Sequence, residues 1–116
     1  MKSLPAAIDF ARINTYSILE GGELVAFGQL VLKGSQRGHL ARLIVAPAHR
    51  RRGLGESLVR ALHAEARAAS LRIASLNVDP ANATAVALYR RVGFVDAPRP
   101  DDEPDSSGSQ YMAMGL

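Results

Sequence analysis

The chain has neither cysteine nor tryptophan in its 116 residues. Without cysteine there is no disulfide, no thiolate metal site and no cysteine nucleophile, and no metal centre is expected. Three tyrosines and three phenylalanines are the only aromatics. That is thin material for stacking bases, so the basic residues suit a small anion better than nucleic acid. No apolar run reaches the roughly 18 to 20 residues that cross a bilayer, and no membrane partner is expected. The first residues lack the apolar core and small-residue cleavage site of a signal peptide. The cytoplasm is the simplest location on those grounds.

What is present suffices for one domain, residues 1–116, with a real core: 47% of the residues are hydrophobic. The net charge of +3 is uneven. Residues 1–95 hold 13 basic and 6 acidic side chains, giving +7. Residues 96–116 set Arg99 against Asp96, Asp101, Asp102, Glu103 and Asp105, giving −4. A basic body suits an anionic ligand, and an acidic segment suits a cationic second partner. The plainer reading of the segment is a solvated loop.

Residues 1–14 carry no strong period. Thr15 to Glu20 is β-prone, and Gly21-Gly22 predicts a tight hairpin turn, because both positions tolerate positive φ. Glu23 to Lys33 is a second strand, and residues 34–38 form a polar loop. His39 to Ala46 is a third strand with apolar residues on both faces. Strict alternation puts Leu40 and Ile44 on one and Leu43 and Val45 on the other. From about Leu54 to Ala69, the residues Leu54, Leu58, Ala61, Leu62 and Ala66 make a helical stripe. Arg72 to Val78 is a strand, followed by a helix from about Asn82 to Arg91 that Gly93 stops. Phe94-Val95 starts a short strand, residues 97–110 are an acidic loop, and Tyr111 to Met114 closes the sheet. The fold class is α/β: a mixed, mostly antiparallel sheet with one parallel β-α-β crossover.

Between the third strand and the first helix lies His49-Arg50-Arg51-Arg52-Gly53-Leu54-Gly55-Glu56-Ser57. A helix N-terminus offers unpaired N–H groups, glycines allow close approach, and arginines add charge, so the turn suits a phosphate. A P-loop would need a lysine before Ser57, where Glu56 stands. A dinucleotide fingerprint would need a glycine where Leu58 stands. A bare basic turn, or a weak nucleic-acid patch, remains an alternative.

Arg50-x-x-Gly53-x-Gly55 matches the R/Q-x-x-G-x-G/A signature of the GNAT acetyltransferase superfamily. Leu43-Ile44-Val45-Ala46-Pro47 precedes it as that family's strand does. Val78, Asn82, Ala85, Leu88-Tyr89 and Gly93-Phe94 resemble the family's second block. The resemblance covers residues 23–116 and is weak over residues 1–22. It implies an N-acetyltransferase that moves the acetyl group of acetyl-CoA to a primary amine by direct attack. The acceptor is then a small-molecule or protein amine.

The same resemblance assigns residues. Backbone groups of Leu43, Ile44 and Val45 would pair with the pantetheine amides. N–H groups of Arg51, Arg52, Gly53, Leu54, Gly55 and Glu56, with Arg50 opening the turn, would hold the pyrophosphate. Asn82 would hydrogen-bond the cofactor arm. Tyr89 would be the general acid for the leaving thiolate. His39 stands where a basic glutamate falls in many relatives, and Asn77 stands at another such position. His39 is therefore the candidate base, beside proton loss to water. Asp101, Asp102, Glu103 and Asp105, near the acceptor entrance by the resemblance, would favour a cationic acceptor. Relatives carry two helices before the hairpin, for which about twenty residues leave no room. An open pocket, a homodimer that completes it, and a non-catalytic acyl-CoA-binding module are the three outcomes.

Overall fold

Two glycine turns set the first half of the sheet. Gly21 and Gly22 both adopt positive φ (58° and 82°), and the tight turn joins antiparallel β1 (Ile13–Glu20) to β2 (Glu23–Lys33). The turn at Gly34 (φ 63°) returns the chain into antiparallel β3 (Arg37–Val45). β3 starts two residues before the predicted His39, because Arg37 and Gly38 pair with Lys33 and Leu32. The computed structural model describes residues 12–50, 53–103 and 108–116, so the expectations on residues 1–11, Arg51, Arg52 and Asp105 lie outside the described residues.

After a 3-10 turn at Pro47–His49, helix α1 (Leu54–Ala68) crosses over to β4 (Ile73–Val78), which runs parallel to β3. Helix α2 (Ala83–Val92) follows, capped by Asn82, whose Oδ1 accepts from the Ala85 N–H at 3.2 Å. Gly93, at φ 126°, ends it. The two-residue β5 (Val95–Asp96) and β6 (Gln110–Gly115) complete a six-stranded sheet in the order β1-β2-β3-β4-β6-β5. Among the described residues, only the β3–β4 pair is parallel, as the sequence predicts. No helix among the described residues is long and apolar enough to cross a membrane.

The core lies between α1 and one face of the sheet. Leu58, Val59, Leu62 and Ala66 of α1 are buried with Ala26, Leu30, Leu40, Ala74, Leu76 and Met112. Each fully buried leucine or valine there contributes roughly 1.5–3 kcal/mol. Two details depart from the predicted stripe: Ala61 is exposed, and Val59 takes its place inside.

The faces of β3 need a larger correction. Phe27 pairs with Ile44 and Gln29 with Ala41, so Arg42 and Leu43 together oppose Gly28. Arg42 sits in the left-handed region (φ 54°) and makes a β-bulge. The extra residue shifts the alternation by one. Leu40 pairs with Leu30, and Val45 with Ala26, on the α1 face. Leu43 joins them there: a Cβ on Gly28 would meet its Cδ2 at 2.6 Å, and Leu62 and Leu58 at 3.2 and 3.3 Å. Leu40 therefore shares a face with Leu43 and Val45. Ile44 points the other way and is 49% exposed.

Candidate functional site

β3 and β4 pair over only four residues, Arg37–Leu40 against Ile73–Leu76. Beyond Leu40 the edge of β3 has no partner strand in β4, whose Asn77 and Val78 go on pairing with β6 alone. The opening between them leads to two cavities. The larger, about 640 Å³, runs from the N-terminus of α1, past Leu43, Ile44 and Val45, to α2. The smaller, about 270 Å³, is lined by His39, Leu40, Ala41, Arg42, Leu43, Asn77 and Tyr89. Leu43 and Tyr89 border both.

At the polar end of the larger cavity, Gly53 is the N-cap of α1 in the left-handed region (φ 78°), with no side-chain cap. A Cβ at Gly53 would meet no atom of the described residues within 4 Å, which leaves its backbone room to approach a ligand. The first intrahelical bond is Ser57 N–H to Gly53 O, at 3.0 Å. The N–H groups of Leu54, Gly55 and Glu56 thus have no partner in the helix and share its positive end. Arg50 lines the same end, its Nε donating to Val45 O at 3.2 Å. Glu56 does not oppose an anion with a bare charge: Arg91 and Arg60 bind its carboxylate at 2.8 and 3.0 Å and hold its pKa below the usual range.

α2 forms the opposite wall. Ala85, Leu88 and Tyr89 share a face, as expected, yet no residue of α2 is fully buried, because that face borders the cavity. Asn82 also lines it; with Oδ1 capping α2, its amide N–H₂ is the group it can offer a ligand. The Tyr89 ring meets Phe94 edge-on, with centroids 6.2 Å apart. Burial pushes its phenol above the ordinary tyrosine value, so it stays protonated at neutral pH. Of the expected site residues, Leu43, Ile44, Val45, Arg50, Gly53, Leu54, Gly55, Glu56, Asn82 and Tyr89 line one cavity, and His39 lines the other.

His39 is 6% exposed. Asn77 Oδ1 accepts from Arg99 at 3.1 Å, which turns the Asn77 amide N–H₂ toward His39 Nε2 at 3.4 Å. Nε2 therefore accepts, and the Nδ1 proton donates to Ser75 Oγ at 2.8 Å. Burial pushes the imidazole pKa down to about 4. Lys33, Arg37 and Arg99 add to that effect, and Glu103 opposes it. His39 is thus a neutral acceptor at pH 7 and a weaker base than the sequence implies.

This has a measurable consequence. The unfolded chain protonates His39 near 6.5 and the folded chain only near 4. Between those values the unfolded state binds more protons, so stability falls as pH falls through that window. The full loss is about 3 kcal/mol near pH 4 and is absent above 6.5. His39→Gln should flatten that part of a plot of Tm against pH. An unchanged slope would assign it to other groups.

The acidic loop behaves differently from a solvated segment where it is described. Glu103 is 8% exposed and binds Arg37 (3.4 Å) and Lys33 (3.7 Å), while Asp102 binds Arg37 at 3.1 Å. Two of the four acids expected to attract a cationic acceptor are therefore engaged in internal ion pairs. Sequence reasoning also missed Arg42, Thr84 and Arg91 as cavity residues. Only the bulge brings Arg42 into play, and no local signal marks it.

The acetyltransferase (GNAT) family model matches residues 3–94. A Klebsiella pneumoniae protein described as an acyl-CoA N-acyltransferase superimposes with a TM-score of 0.85 at 28% identity, over 94% of this chain and 76% of that one. The ribosomal-protein-S18-alanine N-acetyltransferase of Escherichia coli gives 0.77 at 28% identity, over 90% and 69%. A GNAT family acetyltransferase from Elizabethkingia anophelis, solved with acetyl-CoA bound, shares the fold: TM-score 0.79, 16% identity, 92% and 78% covered.

Proposed function

The chain belongs to the acetyltransferase (GNAT) family, and from that premise we propose that it transfers the acetyl group of acetyl-CoA to a primary amine. The observation that carries the reading is the position of Tyr89, a protonated phenol bordering both cavities where β3 and β4 part. The larger cavity takes the acetyl-CoA. Its polar end, with Arg50 and the N–H groups at Gly53 to Glu56, fits a pyrophosphate. Its apolar stretch, with Leu43, Val45 and Leu88, fits a pantetheine arm, whose amides pair with the open edge of β3. The smaller cavity takes the acceptor.

The acceptor nitrogen attacks the thioester carbonyl carbon, and the C–N bond forms as the C–S bond breaks. Tyr89 gives its proton to the departing thiolate and recovers one from the attacking nitrogen by way of water. The Asn77 amide donates to His39 Nε2 and holds the neutral ring in place along the acceptor's wall. With a conjugate acid near 4, His39 does not hold the proton.

The first experiment is a thermal-shift titration with acetyl-CoA, desulfo-CoA and a short DNA duplex. At 100 times Kd a ligand of the folded state adds about 2.7 kcal/mol of stability. Stabilisation by both CoA species and not by DNA is the expected result. No shift with either CoA species would remove the reading. Binding without thiol release in the presence of amines would reduce it to an acyl-CoA-binding module.

A further inference from the structure

We propose that the acceptor amine carries a carboxylate, which Arg42 recognises at the exposed side of the smaller cavity. The inference rests on the acetyl-transfer reading above and adds to it the charge of the second substrate.

The bulge fixes where Arg42 stands. A non-glycine residue in the left-handed region is disfavoured unless its surroundings hold it there. Regular pairing on either side, Gln29 with Ala41 and Phe27 with Ile44, holds it there. Its guanidinium donates to Gln29 Oε1 at 2.9 Å, a neutral partner that orients the group without neutralising it. Among the described residues, no carboxylate lies within ion-pair distance of Arg42, and none lines the smaller cavity. Asp102 and Glu103, on the loop folded against this face, are held by Arg37 and Lys33.

The rest of the wall is neutral: His39 without a proton on Nε2, the Asn77 amide and the Tyr89 phenol. Behind His39, Lys33 and Arg37 pair with Glu103 and Asp102, and Arg99 donates to Asn77 Oδ1. An ammonium acceptor would find no described partner in this cavity and would meet like charge at its rim. A carboxylate would meet a guanidinium, whose planar fork suits it. The Arg42 guanidinium also favours the neutral form of the attacking amine, which eases its deprotonation where no strong base is at hand.

The test uses three amines of matched length with saturating acetyl-CoA: γ-aminobutyrate, its primary amide, and putrescine. The expected order of kcat/KM is carboxylate above amide above ammonium, with about tenfold between the extremes. Arg42→Asn tolerates the left-handed backbone and removes the charge, and it should collapse the order without changing the KM for acetyl-CoA. Arg42→Lys should keep the order. If acetyl-CoA stabilises the protein and putrescine is used as well as γ-aminobutyrate, the inference falls and the acetyl-transfer reading stands. Where no amine turns over, the same comparison is read from the Tm of the CoA complex, and equal shifts again overturn it. If acetyl-CoA does not stabilise the protein, both fall together.

Discussion

Tyr89→Phe should lower kcat by about 10² to 10⁴-fold, the range for loss of a positioned proton donor, and leave the KM for acetyl-CoA nearly unchanged. The substitution removes one oxygen and keeps the ring, so the edge contact with Phe94 and the apolar wall of the cavity survive. Single-turnover measurements with a saturating amine isolate the transfer step from product release. A companion signature lies in the pH profile. Burial raises the Tyr89 pKa above 10.0, so loss of the acid can reduce the wild-type rate only above that pH. The variant should lack this basic limb. Retention of more than about a tenth of wild-type kcat would mean that water, and not the phenol, protonates the thiolate.

The largest effect on stability is expected at Phe94. It is 1% exposed and packs in the core just after the stop of α2. Phe94→Ala should cost about 3–5 kcal/mol, a large part of the 5–15 kcal/mol that typically holds a domain together. Urea denaturation followed by circular dichroism measures it. The same variant takes away the ring against which Tyr89 rests, so kcat should fall even where the protein remains folded. A cost below about 1 kcal/mol would show that the neighbouring side chains close over the gap.

The elements most legible in the sequence are those fixed by short-range signals. β2 runs over Glu23–Lys33 as its composition and flanking glycines predict, and α1 ends one residue from its expected stop. The Gly53 and Gly55 turn and the Leu88-Tyr89 pair fall on opposite walls of one cavity, because two separate motifs mark them. The bulge at Arg42 is different in kind. It arises from how β3 meets β2 at Gly28, and nothing in Ala41-Arg42-Leu43 announces it, so strict alternation gave Leu40 and Leu43 opposite faces. The seating of Glu103 against Lys33 and Arg37 escapes for the same reason. A run of acids reads as solvated until tertiary structure brings two cations to meet it. The weak basicity of His39 follows from burial, which its neighbours in sequence do not reveal.

The short seam between β3 and β4 also bears on how the sheet is held together. One block is β1-β2-β3 and the other is β4-β6-β5, and four residue pairs stitch the ladders together, with α1 linking them along the chain. The two ladders share one core beneath α1, so the short seam leaves the open edge of β3 without dividing the core. A ligand lying in the gap and bonding to the free edge of β3 would act as a missing strand. Its residence time and the mechanical continuity of the sheet would then be two readings of the same stability.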